Sequence, residues 1–313
     1  MGVRLPAKKY TKKNPTVRRL SFVGSGGTTQ FIDVGLALSI LNQKAFAQGA
    51  YYYINSIELY NNEDAYVDVH TIPDTWYVRT AYRRAKKLFD QMNDRAIAQL
   101  GSDITPKYHD FKVYMSDLHR TTGNMQSKLF NINSATANYT ADEWAYSQFK
   151  SADDDGDPVQ QADNFYVHML GGHTGSASNW TSIGVVKSYA DTKVRMQGAD
   201  PNLPATATIQ ADPLLNIVDY SSEEQLNDVI AGLADDNDQP PYDHNHMPGE
   251  GTASMQHVAR LATSVSSGRV TKASGFCAPF GLICIDPQDT ATAYRVVINL
   301  AQGTYNGVYA ERV

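Results

Sequence analysis

The chain has 313 residues, of which 42% are hydrophobic and 19% charged, with a net charge of −6. That composition supplies apolar material for packed cores and carries no bias toward intrinsic disorder, while the length suits two domains of about 100 to 200 residues. No apolar run approaches the roughly 18 residues of a bilayer span, and the basic start is not followed by the apolar stretch of a signal peptide, so export by that route is not expected.

In chain order, the first segment is a basic arm. Residues 1–19 hold Arg4, Lys8, Lys9, Lys12, Lys13, Arg18 and Arg19, with no acid before Asp33. Removing those seven from the 27 Lys and Arg leaves 20 against 33 acids, so the body alone carries −13. Such an arm can neutralise phosphates without reading sequence, lie on anionic lipid headgroups, or meet the acidic body of a neighbour. A solvated tail is the alternative.

Residues 20–23 read as a short strand, followed by Gly24-Ser25-Gly26-Gly27. That glycine run lacks the Gly-Lys-Ser/Thr ending of a phosphate loop and reads as a hinge between arm and body. Asp33 caps a helix expected over 34–48 that stops at Gly49. Tyr-, Ile- and Val-rich strands at 51–60 and 65–72 flank Asn61-Asn62-Glu63-Asp64, which predicts a β-hairpin. After Pro73, Asp74 or Thr75 opens an amphipathic helix with Val78, Ala81, Tyr82, Ala85, Leu88, Phe89 and Met92 on one stripe. Arg79, Arg83, Arg84, Lys86 and Lys87 on its other side could contact nucleic acid or form a solvated face.

Short strands follow at 109–115, 127–132, 164–170, 180–190, 193–197, 205–210 and 214–219. Their spacing, with Gly, Asn, Asp and Pro between them, argues for sandwiches and against a parallel sheet. A capping box at Ser221–Glu224 opens a helix with Leu226, Val229, Ile230 and Leu233 on one face that ends near Asp235, and 235–251 reads as an acidic loop. Strands return at 281–286, 293–300 and 308–313. Nineteen tyrosines suit half-buried strands and subunit contacts. The fold class is mainly β.

The candidate chemical sites are weak. Asp153-Asp154-Asp155-Gly156-Asp157 resembles a calcium loop, but it lacks the leading aspartate and the bidentate glutamate. His244 and His246 have metal-ligand spacing without identifiable further ligands. No serine or cysteine sits in a nucleophile-elbow setting, so no catalytic residue, metal or cofactor is expected. Cys277 and Cys284 read as free buried thiols, with a bridge across Pro279–Gly281 as the alternative.

Several words of the sequence resemble a known group. Phe31-Ile32-Asp33, Leu41-Asn42 and Gln48-Gly49, then Ile72-Pro73-Asp74-Thr75-Trp76 before a basic helix, are similar to major capsid proteins of small icosahedral single-stranded-DNA viruses. So are Asp235-Asp236-Asn237-Asp238-Gln239-Pro240-Pro241-Tyr242, Met247-Pro248-Gly249 and Gly275-Phe276-Cys277-Ala278-Pro279-Phe280-Gly281-Leu282. Among characterised viruses, the pattern resembles that of the finnlakevirus-like, lipid-containing bacteriophages. The resemblance implies a double jelly roll with accessory helices, the arm at 1–19, a first sandwich at 20–160 and a second at 161–313; a single elaborated jelly roll is the alternative. It implies a homotrimeric capsomer that self-assembles in the host cytoplasm into the virion shell, with other capsid proteins as partners. Viral DNA or an inner lipid membrane is the expected partner of the arm. A receptor- or carbohydrate-binding sandwich, such as a virion spike, is the alternative function.

Overall fold

The computed structural model describes residues 15–100, 108–130, 136–140, 142–150, 164–176, 179–192, 247–266, 268–288 and 293–313. Met1–Ala190 with Pro248–Val313 make one compact unit; the second, Asp191–Met247, lies almost wholly outside the described residues. The strands expected at 193–197, 205–210 and 214–219, and the helix after Ser221, also fall outside them.

The chain begins with β1 (Arg19–Gly24), β2 (Gln30–Asp33), α1 (Val34–Asn42), β3 (Ala50–Tyr60) and β4 (Ala65–Thr71). A long insertion follows, with α2 (Trp76–Leu100), α3 (Asp117–Thr122), β5 (Lys128–Phe130), β6 (Thr136–Asn138), β7 (Gln148–Lys150), β8 (Asn164–His168), β9 (Thr174–Ser176), β10 (Asn179–Gly184) and α4 (Val185–Asp191). The chain then returns through β11 (Gln256–Thr263), β12 (Val270–Ala278), β13 (Leu282–Pro287), β14 (Tyr294–Leu300), β15 (Gln302–Tyr305) and β16 (Ala310–Arg312).

The protein is mainly β, with antiparallel main sheets. One sheet runs β1-β14-β3-β12, with β16 also on β3; the other runs β11-β4-β13-β2. Alternation sends Leu20 and Phe22 of β1, Ile57 and Leu59 of β3, Val67 and Val69 of β4, and Ile283 and Ile285 of β13 into one shared core cluster. Each such side chain contributes roughly 1.5 to 3 kcal/mol by leaving water. A bulge in β3 skips Asn55 between the Ser56–Asn299 and Ile54–Leu300 pairs. Opposite it, Gly275 is needed because a Cβ there would lie 2.6 Å from the Ile54 carbonyl oxygen.

Several expectations are corrected by this topology. Strands β3 and β4 lie where the sequence predicts, but they do not form a hairpin: β3 pairs with β12 and β14, and β4 with β11 and β13. The Asn61–Asp64 turn carries the chain from one sheet to the other. Both sheets mix strands from before and after residue 160, so a boundary there separates no pair of sheets. The glycine run joins β1 to β2 inside the body and is no hinge to the arm. Helix α1 ends at Asn42, because Gln43 turns left-handed (φ 51) and Ser39 Oγ accepts the Phe46 N–H, directing Phe46 into the core.

The insertion is built differently. Its main sheet, β7-β8-β10-β9, contains a parallel β8–β10 pair, and β5–β6 is a separate ribbon. The expected strand at 180–190 is β10 followed by α4, and 109–115 is an extended segment with a single bridge at Tyr114. In α2, Thr75 Oγ1 accepts the Val78 N–H, and Val78, Ala81, Tyr82 and Phe89 are buried as expected, whereas Leu88 is 51% exposed. No helix among the described residues is long and apolar enough to cross a membrane.

Candidate assembly interface

The arm cations Arg4, Lys8, Lys9, Lys12 and Lys13 lie outside the described residues. Arg18 and Arg19 do not belong to a free arm. Arg19 opens β1, with its guanidinium 3.2 Å from Glu58, a carboxylate that Lys272 also approaches at 3.8 Å. The Arg18 carbonyl accepts the Leu300 N–H at 2.9 Å.

The root of the arm is tied down one step earlier still. The Asn42 carboxamide grips Val17 from both sides, accepting its N–H at 2.7 Å and donating to its carbonyl at 3.1 Å. Lys44 Nζ donates to the Pro15 carbonyl, and Thr16 Oγ1 donates to that of Asn306. Thus α1 and the β15–β16 turn fix where the chain enters the body. Little in the local pattern signals this, because one Asn at a helix end normally reads as a terminator.

The insertion docks on the body through a buried polar chain that sequence reasoning missed except for the helix cap. Met115 N–H donates to His119 Nδ1 at 3.0 Å, which leaves the ring proton on Nε2 to donate to Asn124 Oδ1 at 2.7 Å. Asn124 donates to the Tyr146 hydroxyl, and Tyr146 donates to Asp33 Oδ2. The same carboxylate accepts from Gln48 Nε2 at 2.8 Å and, through Oδ1, from Leu36 N–H at 3.1 Å, the cap of α1. Gln48 Oε1 also accepts the Val113 N–H. Burial holds the Asp33 carboxyl above its ordinary pKa, against these donors, and pushes His119 down to about 4. Asp33 is 1% exposed and His119 0%, and this buried run of hydrogen bonds positions the insertion on the body.

On the outer side of β4 and β11, Arg260 makes a two-pronged bond to Asp68, both at 2.8 Å, with its guanidinium 4.1 Å from the Tyr66 ring centre. That pairing lowers the Asp68 pKa. Directly across the strands, His257 faces His70, whose pKa is lowered by burial and by His257.

Cys277 and Cys284 are both free. They belong to different sheets, Cys284 buried and Cys277 half-buried, and burial pushes their thiols up to about 11 (Cys277) and about 12 (Cys284), which favours the protonated form. Asp153–Asp157, His244 and His246 lie outside the described residues. No family model matches the chain, and no curated protein or solved structure matches it either.

Proposed function

We propose that the chain is a shell-forming subunit, a viral major capsid protein whose body is a single jelly roll with a long insertion between its fourth and fifth strands. The observation that carries this reading is the nesting of the eight body strands. Numbered one to eight from β1–β4 and β11–β14, they pair first with eighth, second with seventh, third with sixth and fourth with fifth. An antiparallel ribbon rolled around one core has this order, and rolls of that kind recur in capsid and lectin domains. Of the two fold expectations, the described strands support the single roll.

Because fold alone does not assign function, the resemblance of the sequence to capsid proteins is the second support. The role proposed is structural rather than catalytic, and its main partner is further copies of the same chain. A trimer of double rolls imitates a hexagon; with one roll per chain, six copies are needed for the same surroundings, so the order of the rings is what micrographs should read. Heterologous contacts between repeated surfaces would close the shell.

The test is electron microscopy with sedimentation of the purified full chain across concentration and salt. Rings or closed particles of uniform size are expected. A lone monomer under every condition would overturn the shell reading and turn attention to a binding sandwich, the role that the same strand order takes in lectins.

A further inference from the structure

The exposed side of α2 is not uniform. At about 100° per residue, Arg84, Lys87, Gln91 and Arg95 fall on one line along the helix, whereas Asp90 and Asp94 fall with Arg83 on the next. All seven are exposed. Of this line, Arg84 is part of the wall of an open groove of about 160 Å³, and Lys87, Gln91 and Arg95 continue along the helix from it. The groove is walled by Ala85 and Leu88 of α2, Phe149 of β7, Phe165 of β8 and Tyr189 of α4. Phe149 and Phe165 lie with ring planes 6° apart and centres at 5.7 Å. The Arg84 guanidinium lies 6.0 Å from the Tyr189 ring centre. Exposed Lys150, next to Phe149, adds a cation from the sheet side.

We propose that this groove and its border bind single-stranded nucleic acid. Phosphates would follow the line from Arg84 through Lys87 to Arg95, and a base would enter against the aromatic wall. Cations beside an aromatic platform favour a polyanion whose flat faces are exposed, which a single strand offers and a duplex does not. An acidic peptide matches the charge but offers a flat ring only where it carries an aromatic residue, whereas a single strand offers one at every unit. DNA and RNA share the required chemistry. The inference does not rest on the shell reading, because an unassembled chain carries the whole groove.

The test is fluorescence anisotropy of a labelled oligothymidine with the full chain, over a series of salt concentrations. Sedimentation of the same samples separates failure to bind from failure to assemble. Lys87→Glu with Arg95→Glu should weaken binding about tenfold or more and reduce the salt slope by about 1.4, from roughly 0.7 per lost phosphate contact. Arg83→Glu with Lys86→Glu makes an equal change in net charge away from the groove and should stay within about threefold. Phe165→Leu, verified by circular dichroism to be folded, should cost about fivefold while leaving the salt slope unchanged. Both charge pairs leave the N-terminal arm intact, so the difference between them isolates the groove. Equal losses in the two charge variants, duplex binding as tight as the single strand, or polyglutamate competing as well as oligothymidine would each overturn the proposal.

Discussion

The eight-strand body and the insertion solve the same problem by different means. The body pairs strands from opposite ends of the sequence, as in Leu20 with Ile298 and Tyr60 with Val270, and seals them with aliphatic side chains. The insertion relies on rings: Phe89, Phe111 and Phe149 meet one another, and Tyr82 joins them to Phe280 at 4.4 Å. Where the insertion meets the body, the Tyr82–Phe280 contact is joined by the directed polar chain from His119 to Asp33. The difference teaches that the body needs the whole chain to be present before it closes, whereas the insertion holds largely local contacts that can open separately.

The sharpest way to break this comparison is to damage each core in turn. Ile57→Ala should cost about 2 to 5 kcal/mol and lower the whole unfolding transition in urea, followed by circular dichroism. Phe89→Ala should cost a similar amount, but hydrogen exchange should show it concentrated in α2 and β7. If both variants destabilise all amides equally, the two regions form one cooperative unit.

Next in size is the pH response of the junction. His119 has a folded pKa of about 4, below its ordinary value, so its contribution is complete at neutral pH and is lost as pH falls from about 6.5 toward 4. The loss is on the order of 3 kcal/mol. Asp33, raised by burial, works in the opposite direction, gaining stability as acid protonates it in the fold. His168, lowered by burial, acts with His119. Urea melts of wild type and His119→Gln at neutral and mildly acidic pH should therefore diverge, with the variant losing less on acidification. Parallel slopes would remove His119 as the source.

The smallest expected effect concerns the arm root. Asn42→Ala should cost only about 1 kcal/mol, because the bonds to Val17 are exposed. Trypsin should nevertheless cut faster after Arg18 and Arg19 in the variant, as read by mass spectrometry. Unchanged cleavage would mean that Lys44 and Asn306 hold the root without it.

Strand positions were legible where β-branched and aromatic residues alternate, as in β3, β4, β13 and β14. The strands β11 and β12 are not legible, because Gln256–Thr263 and Val270–Ala278 are rich in Ala, Ser, Thr, Lys and Gly and lie at sheet edges, where burial selects weakly. Partnering was less legible than position. The Asn61–Asp64 turn announces a reversal, but whether β4 returns beside β3 or crosses to the other sheet depends on strands some two hundred residues away. Of the site, Asp33 is legible as a cap, yet nothing local marks Gln48 and Tyr146 as its other partners or Asn124 as the link to His119, since each is an ordinary polar residue until the fold brings them together.

Residue 15 is moored beside α1, and β16 pairs with the start of β3, so the beginning and the end of the described body share a pole with the base of the insertion. The opposite pole is closed by the short links after β1, β3 and β11. Growth of the polypeptide by extension or by enlargement of the insertion is thereby channelled to one side, and the far cap can keep the same outline while its counterpart diversifies.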